Sequence, residues 1–247
     1  SESISKIYRN DNGTFVVVGG ALPSVAFGDV AWLDYNSDGR LDASFIGEFA
    51  AGALARNEGG VLVVDTVASQ GLPGGYIKGG ARAGGDYDRD GDPDLAVVWQ
   101  PTNDPARGQL FRNDNGRFVA AQALVGLSEG RLAWADYNGD GWLDLMVVGT
   151  LDFSVGGGRK RVLYRNDAGT LVEDAAAEAN IAAAEMPAVA WGDVDNDGDL
   201  DLLIGGNGFV DGASQAFTRL YRNDGGIFHD SGQRLPGTDG GGHAAFA

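Results

Sequence analysis

The sequence predicts an all-β fold built from repeated four-stranded units, and three recurring segments predict it. An Asp-rich loop occurs four times, as Asp34 to Asp42 (DYNSDGRLD), Asp86 to Asp94 (DYDRDGDPD), Asp136 to Asp144 (DYNGDGWLD) and Asp193 to Asp201 (DVDNDGDLD). The first residues stand at 34, 86, 136 and 193, intervals of 52, 50 and 57 residues, and a period of that length marks repeat architectures. A turn segment of the type Tyr-Arg-Asn-Asp-Xaa-Gly keeps the same beat five times, beginning at Tyr8, Ala55, Phe111, Tyr164 and Tyr221. The third segment is an apolar run that reaches Trp32-Leu33, Trp134-Ala135 and Trp191-Gly192 just before three of the loops, with Gly84-Gly85 in its place before the second.

Taken in order, one unit begins with that apolar run, which reads as an inner strand. Leu22-Pro23, Leu72-Pro73, Met186-Pro187 and Leu235-Pro236 introduce such strands, and a Pro that cannot donate to a ladder marks the crossing from one sheet to the next. The Asp-rich loop follows. Directly after it comes a short apolar run, such as Leu95-Ala96-Val97-Val98, Leu145-Met146-Val147-Val148 or Leu202-Leu203-Ile204, of the kind that forms a buried strand. The loop therefore joins two strands. After a variable connection, the Asn/Asp/Gly segment reads as strand, hairpin turn, strand, because those residues tolerate the positive φ of tight turns, and Phe15, Phe118, Leu171 or Phe228 resumes the alternation. Turn chemistry is the preferred role for this segment. Helical signal is confined to Val172 to Ala184, a short helix or a polar connector.

Four strands per unit is a β-propeller blade. The chain is expected to form one propeller domain over 1–247, with repeat units at about 25–75, 76–126, 127–182 and 183–235 and a fifth unit split between 1–24 and 236–247. In that split unit the hairpin Ile4 to Val18 supplies outer strands and His243 to Ala247 an inner one. Closing the ring removes the exposed edges of an open array. The alternatives are a piece of a longer propeller, or an open ring completed by another subunit.

The loops carry the chemistry. Positions 1, 3, 5 and 9 are always Asp or Asn, position 6 is always Gly, and position 7 is free to vary. A hard cation such as Ca²⁺ takes six to eight oxygens at roughly 2.3–2.6 Å, which alternate side chains and one backbone carbonyl of a curled loop supply. The expected side-chain ligands are Asp34, Asn36, Asp38 and Asp42; Asp86, Asp88, Asp90 and Asp94; Asp136, Asn138, Asp140 and Asp144; and Asp193, Asp195, Asp197 and Asp201. The carbonyls of Arg40, Asp92, Trp142 and Asp199 complete the sets, giving about four Ca²⁺, one per loop. Without a cation, carboxylates about 4 Å apart repel by roughly 4 kcal/mol per pair at an effective dielectric near 20. An EF-hand shares the first half of the pattern but needs a bidentate Glu at position 12, where this chain has Phe45, Val97, Val147 and Ile204. An ordinary Asp/Gly turn without an ion is the plain alternative.

Loop, preceding aromatic and Tyr-Arg-Asn-Asp-Gly hairpin together resemble the FG-GAP/VCBS repeats of integrin α-chain-like β-propellers, and the resemblance spans essentially the whole chain. Phe27-Gly28 and Gly20-Ala21-Leu22-Pro23 echo the name-giving elements in reverse order, in the first unit alone. The resemblance implies the propeller fold and structural calcium. For function it implies adhesion receptors, lectins or accessory domains of secreted enzymes. Such propellers commonly have seven blades, and four loops depart from that.

Composition narrows the partners. The net charge is −17, and fourteen of the carboxylates stand at loop ligand positions, so four Ca²⁺ would still leave an acidic surface. That excludes nucleic acid, whose phosphates need a basic face, and electrostatic attachment to anionic lipid. No run of 18 apolar residues exists to insert in a membrane. There is no Cys, so metal is left to do what disulfides do elsewhere. The chain opens at Ser1 without Met or a signal sequence, as a processed or excised segment would. Calcium modules binding at roughly 10⁻⁴ to 10⁻³ M work where calcium is millimolar, so the expected location is extracellular, secreted or at the cell surface.

No enzyme is expected. His229 and His243 lack an Asp and Ser partner by spacing, and Gly156-Gly157-Gly158 is followed by Arg159-Lys160-Arg161 rather than a phosphate-binding Gly-Lys-Ser/Thr. An enzyme would need an acidic pair outside the loops, drawn from Glu48, Asp65, Asp104 or Asp152. The expected role is recognition or adhesion, with a glycan or an extracellular protein bound through the connections Glu48 to Leu54, Gln100 to Gln109, Thr150 to Arg161 and Gly206 to Ala216. Trp99 with Asn103 and Asp104, together with Phe153 and Phe209, are the candidate ligand-binding residues; covering a blade edge is their plain alternative. The other reading is an assembly subunit that forms homo-oligomers through open ends, or an accessory domain of a larger secreted protein.

Overall fold

A computed structural model describes residues 5–18, 22, 24, 26–48, 52–74, 77–151, 157–237 and 244. The described chain is all-β apart from a one-turn 3₁₀ helix, Ala177–Asn180. Sheet I is formed by β3 (Ala26–Leu33), β4 (Asp42–Glu48), β5 (Ala53–Asn57) and β6 (Leu62–Asp65), and sheet II by β7 (Ile77–Gly85), β8 (Asp94–Pro101), β9 (Arg107–Asp114) and β10 (Arg117–Leu124). Sheet III comprises β11 (Ser128–Ala135), β12 (Asp144–Thr150), β13 (Arg159–Asn166) and β14 (Leu171–Glu173), and sheet IV comprises β15 (Glu185–Gly192), β16 (Asp201–Val210), β17 (Ala213–Asp224) and β18 (Ile227–Asp230). A two-stranded hairpin, β1 (Ile7–Asp11) with β2 (Thr14–Val18), precedes them. In every sheet consecutive strands pair antiparallel, and each Asp-rich loop joins the first strand to the second.

The first strands β3, β7, β11 and β15 pack against one another in succession, so the sheets form a series with the core between them. Period-2 geometry explains the continuous apolar runs. In β8, Leu95 and Val97 pack with Leu33, Tyr35 and Ile46 of sheet I, while Ala96 and Val98 pack with Leu145 and Val147 of sheet III. Met146 and Val148 in turn join Leu202, Ile204 and Phe217 of sheet IV. Both faces of an inner sheet are buried, which is why its second strand reads as unbroken hydrophobe.

Trp134 donates its indole N–H to Ala83 O at 3.1 Å, and Trp191 donates to Ala133 O at 3.3 Å, each on the first strand of the preceding sheet. The Gly pair before the second loop has its use here: a Cβ on Gly85 would lie 2.9 Å from the Trp134 ring. Trp32, first in the series, is 51% exposed.

Two sequence readings are modified. Pro187 lies within β15, at the register shift between Glu185 and Ala188, so it marks a bulge and not a crossing between sheets; β3, β7 and β11 carry a shift at the same end. Gly206 to Ala216 is not a loop. β16 and β17 stay paired as far as Val210 with Ala213, turning at Asp211-Gly212 with φ of 52° and 79°, the all-positive geometry that an Asp-Gly hairpin favours. Val172 to Ala184 holds the end of β14 and the 3₁₀ turn. His243 to Ala247 lies outside the described residues except for Ala244.

Phe228 is fully buried, with its ring centroid 5.7 Å from Tyr137 of sheet III and 5.9 Å from Trp191. Phe228→Ala should cost about 3–5 kcal/mol, read as a lower urea midpoint at unchanged slope; a loss under 1 kcal/mol would mean that the sheet III–IV core does not carry stability.

Candidate metal centre

Each Asp-rich loop is curled by its own side chains. The first carboxylate accepts the amides of positions 5 and 6: Asp34 from Asp38 (3.0 Å) and Gly39 (2.7 Å), Asp86 from Asp90 and Gly91 (both 3.1 Å), and Asp136 from Asp140 (3.0 Å) and Gly141 (2.8 Å). Asp193 departs slightly, accepting from Asn196 (2.7 Å) and Gly198 (3.1 Å). The fifth carboxylate accepts the amide of position 7 in all four loops, at 2.8–3.0 Å. Asn36 and Asn138 add a bond to the amide of position 5, at 3.0 and 2.9 Å. These bonds wrap the backbone around the side-chain oxygens. Position 6 needs Gly for its φ of 81–100°, not for space, since a Cβ there meets nothing closer than an arginine side chain. Position 4 also takes the left-handed conformation, at Ser37, Arg89, Gly139 and Asn196, which the sequence alone does not announce.

The ninth residue differs from the others. Asp42, Asp94, Asp144 and Asp201 are at most 1% exposed. Asp94 accepts the amides of Tyr87 (3.0 Å) and Asn113 (2.8 Å), Asp144 those of Tyr137 (3.1 Å) and Asn166 (2.8 Å), and Asp201 those of Val194 (3.0 Å) and Asn223 (2.9 Å). Asp42 accepts Asn57 N at 2.7 Å. Burial pushes Asp94 and Asp144 up to about 7 against the pull of those amides, and raises Asp42 and Asp88.

The donor set fits a hard cation. Ligand atoms of Asp86, Asp88 and Asp90 lie within 4.8 Å of one another, as do those of Asp193, Asp195 and Asp197. Among the described residues, Oδ1 of Asp88 and Oδ2 of Asp42 are shielded from solvent and make no close hydrogen bond, with the backbone amides of Asp90 and Tyr35 as their weak partners; a bound cation would meet them more fully. Two loops also meet an arginine. Arg40 reaches Asp38 at 2.5 Å, and Arg222 reaches Asp195 at 2.5 Å and Asp201 at 3.2 Å. In the other hairpins the equivalent arginine pairs within its turn, as Arg9 with Asp11, Arg112 with Asp114 and Arg165 with Asp167.

The hairpin asparagines do more than turn the chain. Each Oδ1 accepts the Gly amide three residues on, at 2.7–2.8 Å from Asn10 to Asn223. Each Nδ2 of Asn113, Asn166 and Asn223 donates twice. One bond goes to the eighth residue of its own loop, at Pro93 O (3.1 Å), Leu143 O (2.9 Å) and Leu200 O (3.0 Å). The other reaches the second residue of the preceding loop, at Tyr35 O (2.8 Å), Tyr87 O (2.8 Å) and Tyr137 O (2.7 Å). Turn chemistry alone would not require Asn at that position in all five copies, which is the signal that sequence reading passed over.

The candidate ligand-binding residues do not form one site. Trp99, on β8, is partly buried against the sheet I–II core. Asn103 is exposed, Asp104 pairs with Arg107 at 3.2 Å, and Phe209, on sheet IV, is 68% exposed. Phe153 lies outside the described residues. Among the possible catalytic acids, Asp65 accepts Tyr35 Oη at 2.9 Å, and His229 is exposed 3.7 Å from Asp224.

The family model described as FG-GAP-like repeat matches residues 86–147, from the first residue of the second loop, through the third, into β12. The chain thus carries an FG-GAP-like repeat. No curated protein matches it. Among solved structures, the V. cholerae biofilm matrix protein Bap1 is similar at 20% identity and a TM-score of 0.36, over 83% of this chain and 38% of that one. The chain therefore spans well under half of that protein's length.

Arg222 competes with any cation for Asp195 and Asp201. Because such a part-exposed pair is worth up to about 1 kcal/mol, Arg222→Gln should tighten divalent-cation binding at the fourth loop by roughly threefold to fivefold in a calorimetric titration. Weaker binding would show that the arginine supports the loop instead of competing for it.

Proposed function

We propose that the chain is a calcium-stabilised β-propeller that works outside the cell as a recognition or adhesion module, its metal ions structural. The observation that carries this reading is the Asp-rich loop repeated four times, with the side-chain oxygens of positions 1, 3 and 5 converging in its second and fourth copies and with solvent-shielded, weakly met oxygens on Asp88 and Asp42. In each loop the residues at positions 1, 3, 5 and 9, with the carbonyl at 7, would hold Ca²⁺. The ion would supply the positive charge that these crowded carboxylates lack.

Ring closure through a split fifth unit is part of the proposal. β1–β2 carries the same internal bonds as the other hairpins, and Ile7 packs on the outward face of sheet I beside Phe45 and Leu62. Yet Tyr8 and Phe15 are 53% and 68% exposed, whereas their counterparts Phe111 and Phe118 are both 6% exposed. Such a hairpin fits an outer pair awaiting its inner strands. The same half-exposed end, with Trp32 among it, favours self-assembly as the second reading. No helix among the described residues is long and apolar enough to cross a membrane.

The metal reading is tested by Asp140→Ala. At a calcium concentration near ten times Kd, one lost site removes about 1.4 kcal/mol, or roughly 3–6 °C in Tm for a chain of this size; in excess EDTA the difference should vanish. An equal loss in both buffers would sink the assignment of the third loop. For recognition, the folded chain is run against a glycan panel in millimolar calcium and in EDTA, with its mass recorded in both. Calcium-dependent capture of a defined sugar supports a lectin-like role, and a clean negative with a concentration-dependent rise in mass supports assembly.

A further inference from the structure

We propose that Asn113, Asn166 and Asn223 are positioning residues that wire the four loops in series, so that a cation bound in one loop raises the affinity of its neighbour. The inference rests on the calcium reading above. Each of these side chains touches two loops at once. Its backbone amide is bonded to the ninth residue of its own loop, and its Nδ2 holds both the eighth-residue carbonyl of that loop and the second-residue carbonyl of the loop before. The second residue sits between the first and third ligand positions, so fixing its peptide fixes the angle between them. The three asparagines are at most 1% exposed, which leaves no room for water to replace the bond.

A second contact spans two of the same junctions. Ser37, at position 4 of the first loop, donates its hydroxyl to Asp92 at position 7 of the second (2.8 Å), and the Arg89 guanidinium, at position 4 of the second, lies 5.2 Å from the centre of the Trp142 ring at position 7 of the third. Position 7 is the residue whose carbonyl is the expected ligand, so its backbone is braced from the neighbouring loop.

The coupling follows from ordering. An empty loop is loosened by repulsion among its carboxylates, and a cation that closes it must offset the lost backbone freedom. When the cation in one loop fixes the shared asparagine, part of the ordering of the adjoining loop is already done, and its own cation binds more tightly. By linkage the effect is reciprocal. About fivefold or more per adjacent pair is the expected size, the lower end of allosteric couplings.

Trp142 makes the third loop readable. The full chain, stripped by chelator, is titrated with Tb³⁺ as a calcium surrogate, exciting luminescence through tryptophan; the share lost in Trp142→Phe belongs to the third loop. Emptying the second loop with Asp86→Asn and Asp90→Asn should raise the midpoint of the third about fivefold or more, whereas emptying the non-adjacent first loop with Asp34→Asn and Asp38→Asn should move it less. Asn166→Ala should bring the midpoint to the raised value and make it insensitive to the second loop. Should Asn166→Ala fail to fold, the comparison of adjacent with non-adjacent loops still decides. A third-loop midpoint indifferent to the second loop overturns the coupling and leaves the metal reading intact. Absence of both Tb³⁺ luminescence and calorimetric heat with Ca²⁺ overturns the two together.

Discussion

A carboxylate taken out of water must be met by donors, and the ninth residue of the second, third and fourth Asp-rich loops is met by amides from separate parts of its sheet. One comes from the second residue of the loop and one from the hairpin asparagine at the end of the third strand, as with Asp94 between Tyr87 and Asn113. The side chain therefore fixes three things: the closure of the loop, the start of the second strand and the end of the third. Hydrogen bonds to a charged group are worth about 1.5–3 kcal/mol each, and removing the acceptor leaves two buried N–H groups unmet. The desolvation that pushes Asp94 and Asp144 up to about 7 is the same burial that makes them effective clamps. A nearby cation would favour the ionised form, so loop closure and the proposed metal binding would draw on one interaction.

From that clamp the repeat builds outward. Three of the four cores among the described residues are shared between adjacent sheets; Tyr35, Tyr87 and Tyr137, the second residues of three loops, place their rings in them, with Phe118, Leu171 and Phe228 of the following sheet respectively. The tyrosine hydroxyls are tied down too, Tyr35 to Asp65 (2.9 Å) and Tyr137 to Asp174 (2.8 Å). A unit that can bury its faces only against neighbours is stable only within an array.

Much of this was legible in the sequence because the signals were local and repeated. The period-2 apolar runs after each loop, the Gly at position 6 and the Asn-Asp-Gly turns all name their own geometry, and strand order within the sheets follows from them. What stayed hidden depends on residues far apart in sequence. Asn113 reads as a turn former from its neighbours; that it also holds Tyr35, 78 positions away, is visible only once the sheets are stacked. The distal hairpin of sheet IV was mistaken for a loop because Gly206 and Gly208 weaken the strand pattern there, although Asp211-Gly212 is a strong hairpin turn.

The junction between sheets I and II departs from the other two in a way that bears on where the array yields first. Its first strand has Gly84 in place of Trp, so it lacks the indole bond that Trp134 and Trp191 make to the preceding sheet. Two residues earlier on the same face stands Arg82, where the other sheets carry Val30, Leu132 and Val189. Arg82 is 4% exposed, packs against Ser44 of sheet I, and has Nε and Nη2 without hydrogen-bond partners among the described residues. Burial pushes its guanidinium down to about 9 against the field of Asp29. A buried cation with unmet donors costs several kcal/mol that the apolar residues of the other junctions do not. Sub-global opening starts where a junction is held least, and the missing indole bond and the buried guanidinium both weaken the junction of sheet I with sheet II.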